Sequence, residues 1–166
     1  MSANALTFRE LLDYTRAETE HWHRWLATQP AEVLELPVGV GRTATVRGLI
    51  HHIIVVERRY VDRLRSEPVT SYEDVPKDSL DALFGVFSDA RDRLDAWLDS
   101  ASDADLTRRL EFQTISAGTL SASARKVLAH LVLHGVRHWA QLATALRQQG
   151  HATDWPHDIA MSDALE

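Results

Sequence analysis

A long helical segment near the end of the chain constrains the fold most. It is predicted to begin at Ser121 or Ser123, either of which can cap a helix, and to run to Gln149 before the expected stop at Gly150. Three histidines recur in it at intervals of four residues: His130, His134 and His138. Side chains at i and i+4 lie above one another on one face of a helix. Two neighbouring histidines in this series can therefore bind the same small ligand, and a metal ion is the obvious candidate.

Three amphipathic segments precede this helix, and each repeats apolar residues at helical spacing. The predicted segments are residues 6–26, a segment from Thr43 or Thr45 to Leu64, and a segment capped by Asp78 or Ser79 that continues to Leu98. Residues 110–115 instead alternate as a short strand does, and Ala117-Gly118-Thr119 follows as a turn. We therefore predict an all-α fold, a four-helix bundle with a short extended or hairpin excursion before the last helix.

The length of 166 residues is typical of one domain. We expect a single domain over residues 1–166, with a core over 6–149 and a C-terminal tail over 150–166 that packs back on it at a place the sequence does not show. The chain has no cysteine, so the side-chain ligands of any metal ion must be His, Asp or Glu.

Charge and hydropathy narrow the range of partners. A net charge of −6 argues against a nucleic-acid-binding surface, because neutralising phosphates needs a concentrated basic face. The apolar runs are far shorter than the ~18 residues of a membrane-spanning helix, and the first residues do not have the pattern of a secretory leader. We expect a cytoplasmic protein that binds neither nucleic acid nor membrane.

The three histidines of the last helix are not equivalent. With Leu131 at the centre of the inward face, His138 lies about 20° away and His134 about 60° away, whereas His130 falls at about 100°, toward the flank. His130 and His138 are also roughly 12 Å apart along the helix axis, too far for both to reach one ion. The better pair is His134 with His138.

The second helix offers a third nitrogen. Of its adjacent histidines, His52 faces the core and His51 falls on roughly the opposite side. Facing positions on two helices therefore bring His52 toward His134 and His138, as in metal sites of helical bundles. The alternative is that these histidines are structural, since a single core-facing histidine is more often hydrogen-bonded than metal-bound. Three converging imidazoles without evident acids are costly to bury unless something coordinates them, which favours a metal.

Residues 49–60 and 128–141 carry a family resemblance. They resemble the DinB/YfiT family of metalloenzymes, and the similarity covers roughly residues 6–149. It implies a four-helix bundle, commonly a homodimer, in which three histidines bind a divalent transition metal such as nickel or zinc. Matched residue by residue, the ligands are His52, His134 and His138, and His130 corresponds to a frequent histidine that is not a ligand.

The resemblance also implies a range of functions. Relatives include thiol-dependent S-transferases and a maleylpyruvate isomerase, so we expect a metal-dependent enzyme that uses a low-molecular-weight thiol as cosubstrate. The alternatives are a non-catalytic metal-binding or small-ligand-binding protein, related to stress, and a helical interaction module. Arg137 stands where many members have a further histidine, and Trp139-Ala140-Gln141 stands where many have Arg-Gly-Gln. These departures leave the ligand set intact.

Other residues are weaker candidates for the surroundings of the site. Glu57 can contact a ligating histidine or act as a general base, although a surface or rim position is the plainer interpretation. His130 can likewise lie beside the ligands or at the mouth of the site. His23 can approach the mouth of the site, and Tyr60 can supply a phenol or simply pack in the core. The remaining histidines are assigned to the surface: His21, His151 and His157.

The last helix is apolar on its far side too, through Ala129, Leu133, Val136 and Ala140. A helix that is apolar around most of its circumference is normally covered on more than one side. We therefore predict a homodimer in which two such helices pack together.

Overall fold

The computed structural model of the chain describes residues 6–114 and 118–165. This part of the chain is mostly helical, with a small antiparallel sheet. The helices are α1 (Phe8–Thr28), α2 (Val46–Leu64), α3 (Leu80–Ser100), α4 (Asp103–Thr107) and α5 (Ala124–Gln148). The strands are β1 (Arg109–Thr114) and β2 (Gly118–Ser123). Short 3₁₀ helices occupy Ala31–Glu35, Gly41–Thr43, Ile159–Met161 and Asp163–Leu165.

Each long helix begins at a hydroxyl cap. Thr7, Thr45, Ser79 and Ser123 accept hydrogen bonds from backbone N–H groups in the first turns of α1, α2, α3 and α5 respectively. These bonds satisfy donors that the helix itself leaves unpaired. Past the end of α5, Gly150 has a φ of 87°, a left-handed conformation that glycine adopts without strain. The sequence therefore predicted four long helices with nearly correct limits.

The excursion before α5 is a hairpin. Its two strands pair antiparallel from Arg109 opposite Ser123 to Thr114 opposite Gly118. Of the residues predicted to form the strand and the turn, 115–117 lie outside the described part of the chain. The single-turn helix α4 was not predicted; it begins at Ser102, whose side chain and that of Asp105 form a reciprocal capping box. A helix of one turn is too short to show an apolar period.

The helices α1 and α2 each contact both α3 and α5, and the contacts of α2 are the more extensive. The buried residues form two clusters, one around Trp22, Leu49 and Trp139 and the other around Leu12, Leu94 and Leu128. Contact between α2 and α5 matters most for function, since these two helices carry the predicted site.

An ion pair deep in the protein joins three helices. The guanidinium of Arg91 on α3 donates hydrogen bonds to both carboxylate oxygens of Glu57 on α2. It also donates to the carbonyl of Leu12 (2.9 Å) and to Oγ1 of Thr15 (3.0 Å), both on α1. The surface or rim position expected for Glu57 is therefore wrong. Only 4% of the residue is exposed, because Arg91 and the rest of α3 pack against that side of α2.

The C-terminal tail packs back on α1, as expected. Trp155 donates its indole N–H to Oε2 of Glu18 (3.0 Å), and Tyr14 donates its hydroxyl to the carbonyl of His157 (2.9 Å). The imidazole of His157 is half-buried and hydrogen-bonds to Oε1 of Glu18. The surface assignment of His157 is therefore wrong, because the tail turns this ring onto Trp22.

No helix in the described part of the chain combines the length and the apolar character that crossing a membrane requires.

The buried ion pair gives a prediction about stability. Arg91→Leu leaves the Glu57 carboxylate buried without a partner, which costs about 3 kcal/mol or more of the free energy of unfolding. The matched control is Arg9→Leu, which removes an exposed ion pair with Asp99 and costs less than about 1 kcal/mol. Urea unfolding followed by circular dichroism measures both, and equal losses would contradict the structural role of Arg91.

Candidate metal centre

Two packed helices bring three imidazoles together. His52 lies on α2 between Leu49 and Ile53, both buried in the core, while His134 and His138 lie one turn apart on α5. His134 is 7% exposed, and the other two are half-buried. Among the residues that the structure describes, this is the one group of three or more His, Cys, Asp or Glu side chains arranged to hold a metal ion.

The distances suit coordination. Nε2 of His134 lies 3.2 Å from Nε2 of His52, and one nitrogen of each of the three rings lies within 4.8 Å of the others. A tetrahedral zinc ion bound at about 2.1 Å holds its nitrogen ligands about 3.4 Å apart. The first pair has nearly this spacing, and the nitrogen of His138 lies within 4.8 Å of both. Imidazole also suits zinc, nickel, copper and iron as a ligand.

Two polar side chains orient the rings. Nδ1 of His138 lies 3.0 Å from Oε1 of Gln141, which can accept the Nδ1–H, and the Gln141 amide donates in turn to the carbonyl of Val38 (3.2 Å). Nδ1 of His52 lies 3.2 Å from the hydroxyl of Tyr72. Protons held on both Nδ1 atoms leave the Nε2 lone pairs of these rings for an ion.

Sequence reasoning gave neither Gln141 nor Tyr72 a role in the site. Gln141 carried a local signal, because it follows His138 by three residues and so shares its face of the helix. Tyr72 carried none, since it lies in the loop between α2 and α3 and reaches His52 only through the fold.

Burial keeps the three imidazoles neutral. It is the main cause that lowers the pKa of His52 to about 4 and that of His134 to about 2, and the neighbouring positive charges lower both further. The pKa of His138 is also lowered, first by burial, while its hydrogen bond with Gln141 opposes the shift. Metal ions bind only the unprotonated ring, so the cluster is ready for an ion at neutral pH.

His130 flanks the group, as the wheel geometry predicted. The residue is exposed, and its ring centroid lies 5.5 Å from that of His134. Tyr60 on α2 contacts the other side of His130 edge-on, at 5.1 Å. Tyr60 is half-buried, and His130 lies between it and the cluster.

The other candidates lie apart from the cluster. His23 stacks on Phe84 at 4.3 Å and hydrogen-bonds to Asp81 (3.0 Å), so its side chain is held against α3. Glu57 is engaged by Arg91, as described above. The expectation that His51 faces away from the protein interior is wrong. This residue is buried beneath the loop between α2 and α3, where its Nε2 lies 3.1 Å from the carbonyl oxygen of Val75.

The fold and the cluster define a class, that of helical proteins in which histidines from two packed helices can hold a metal ion. The family model of the DinB family matches residues 1–161, and the chain belongs to this family. No curated protein matches the chain.

The lowered pKa values give a prediction about the metal-free protein. Below the ordinary histidine pKa of 6.5, His52 and His134 become protonated in the unfolded chain but stay neutral in the folded protein. Because the unfolded chain then binds more protons, falling pH favours unfolding. We expect stability to fall between about pH 6.5 and pH 4, and His134→Gln to make this fall shallower by about 1 kcal/mol per pH unit. Urea unfolding at several pH values measures the slope; identical slopes for both proteins would contradict the burial of a neutral His134.

Proposed function

We propose that this protein is a divalent-metal-dependent enzyme whose ion is bound by His52, His134 and His138, within a single four-helix-bundle domain. The observation that carries the proposal is the convergence of three neutral imidazoles from α2 and α5, with one nitrogen of each within 4.8 Å of the others. Three protein ligands leave at least one position on the ion open, as in catalytic rather than structural sites.

Nickel or zinc is the proposed metal, because both accept imidazole nitrogen and neither needs the thiolates that this chain lacks. Bound there, the ion would supply Lewis-acid activation of a substrate carbonyl or thiol. The protein's part is to hold the rings: Gln141 fixes His138, Tyr72 fixes His52, and the core residues of α2 and α5 fix the helices. Together with the family resemblance, the open position supports thiol-dependent transfer or isomerisation, with a low-molecular-weight thiol as cosubstrate.

The second candidate is a metal-binding or small-ligand-binding protein without catalysis. One observation favours it: among the described residues, no carboxylate joins the histidine cluster to act as a general base. Glu57, the acid that the sequence offered for this role, has both of its oxygens bonded to Arg91. A reaction that needs only metal activation remains compatible with this arrangement.

Elemental analysis of untagged protein tests the metal site. We expect about one divalent ion per chain, and His138→Ala to weaken zinc binding at least about 100-fold. His130→Ala is the matched control, since it removes an imidazole one helical turn from the cluster's edge and should bind zinc as the wild type does. Equal zinc affinity of wild type and His138→Ala would contradict the assignment.

Turnover distinguishes the two candidates. With several low-molecular-weight thiols and an alkylating electrophile, an enzyme loses its metal-dependent rate in His138→Ala and keeps it in His130→Ala. Stoichiometric metal without turnover of any thiol favours the binding protein.

We also propose that the protein is a homodimer formed through α5. Leu133 is 67% exposed and Val136 is 37% exposed, and Ala129 and Ala140 lie on the same side of the helix. An apolar groove of about 870 Å³ runs beside them, between α1, α5 and the tail. A second α5 with the same protruding Leu133 fits such a surface by twofold symmetry.

Size-exclusion chromatography with light scattering tests the dimer. At micromolar concentration the wild type should elute at twice the 18.7 kDa chain mass, and Leu133→Lys should shift it to the monomer. Leu120→Lys is the control, because Leu120 is an exposed leucine on β2, outside the proposed interface. A monomeric wild type, or a dimer in Leu133→Lys, would contradict this interface.

A further inference from the structure

Arginines without carboxylate partners border the histidine cluster. Seven described arginines are paired with acids at no more than 4.0 Å: Arg9, Arg16, Arg47, Arg58, Arg65, Arg91 and Arg93. The other described arginines form no ion pair, and three of these, Arg42, Arg59 and Arg137, lie near the histidine cluster. Their contacts are to aromatic rings, to a backbone carbonyl and to an imidazole.

Two of these arginines lie on the His52 side of the cluster. The guanidinium of Arg42 lies 4.2 Å from the centre of the Tyr72 ring, and that of Arg59 lies 5.4 Å from it. The hydroxyl of the same tyrosine contacts Nδ1 of His52. Arg42 is exposed, so its guanidinium is available to a ligand that reaches the cluster from solvent.

The third arginine lies on the His138 side. Nη2 of Arg137 is 3.2 Å from Nε2 of His138, the nitrogen that is left for an ion when Nδ1 faces Gln141. An ion would take the lone pair to which Arg137 now donates. The exposed guanidinium would then be free to donate to a ligand that reaches the cluster, in place of water.

The local charge is therefore positive in a protein whose net charge is −6. Within the described chain, the charged neighbours that lower the pKa values of His52, His134 and His138, after burial, are arginines or other histidines. One exposed acidic group, Glu73, interacts electrostatically with Arg42 and Arg59. Its pKa is lowered first by a hydrogen bond from Ser71, and Arg42 and Arg59 also contribute, but it forms no ion pair with either arginine.

We propose that the open coordination position takes a substrate that carries a carboxylate, and that Arg42 and Arg137 bind this carboxylate beside the ion. This inference rests on the proposed function, because it places the substrate at the three-histidine ion. Its chemical basis is that neutral imidazole ligands leave the full charge of a divalent ion uncompensated, with two guanidinium groups that have no carboxylate partner among the described residues near the cluster. Guanidinium groups match the carboxylate geometry, and hydrogen bonds between such charged groups are stronger than those between neutral ones.

Titration calorimetry on the zinc-loaded full chain tests the proposal with two probes of the same shape, 3-mercaptopropionate and its neutral amide. We expect the acid to bind the wild type about tenfold more tightly than the amide. In Arg42→Gln/Arg137→Gln the two affinities should become equal while the zinc content stays unchanged. The control, Arg24→Gln/Lys126→Gln, removes two exposed positive charges elsewhere and should keep the tenfold preference.

Zinc content, measured before and after titration, distinguishes failure of the carboxylate proposal from failure of the metal site. A wild type that holds zinc but binds acid and amide equally overturns this proposal and leaves the metal site standing. A preference that survives in Arg42→Gln/Arg137→Gln overturns the role of these two arginines. A wild type that takes up no zinc or nickel overturns the proposed function, and the carboxylate site, which needs the ion, fails with it.

Discussion

The contact between α2 and α5 is the constraint on which the functional part of this structure depends. It buries His134 and half-buries His52 and His138 without giving them a carboxylate partner from the described part of the chain. Burial disfavours the charged form of histidine, so His52 and His134 remain neutral well below their ordinary pKa. Neutral imidazoles that converge in this way can bind a cation, and this is the basis of the proposed metal site.

The rest of the fold holds these two helices in place. Arg91 connects α1, α2 and α3 through hydrogen bonds to Glu57, Leu12 and Thr15. Further along α1, the tail is attached through Glu18. Sites built on helices that are fixed by packing and by buried hydrogen bonds keep their geometry better than sites on loops. The buried contacts of Arg91 and Glu18 thus help to fix the helices around the cluster.

Local features could be predicted from the sequence. The long helices follow from apolar periodicity and hydroxyl caps, and the hairpin follows from alternation, since each of these signals lies within one segment. His52, His134 and His138 could be selected because a helical wheel fixes the direction of a side chain once its helix is known. The predicted side-chain directions on the two helices were therefore enough to group these three histidines in one site.

Features that join distant segments could not be predicted. The partner of Glu57 lies on α3, and a helical wheel does not show which helix covers a given face. The burial of His51 and the contact of Tyr72 with His52 both depend on the loop between α2 and α3, whose path leaves no periodic signal. The lack of a carboxylate partner for Arg42 and Arg137 within the described chain likewise depends on which arginines the acidic residues pair with in the folded protein.

X-ray absorption spectroscopy of the natively purified protein, at the edge of the metal it contains, tests the central claim most directly. A site formed by His52, His134 and His138 should show about three imidazole nitrogens at about 2.1 Å, with the outer-shell scattering of the rings, and at least one further light ligand. A first shell of oxygen ligands without imidazole scattering, or the loss of all metal on purification, would contradict it.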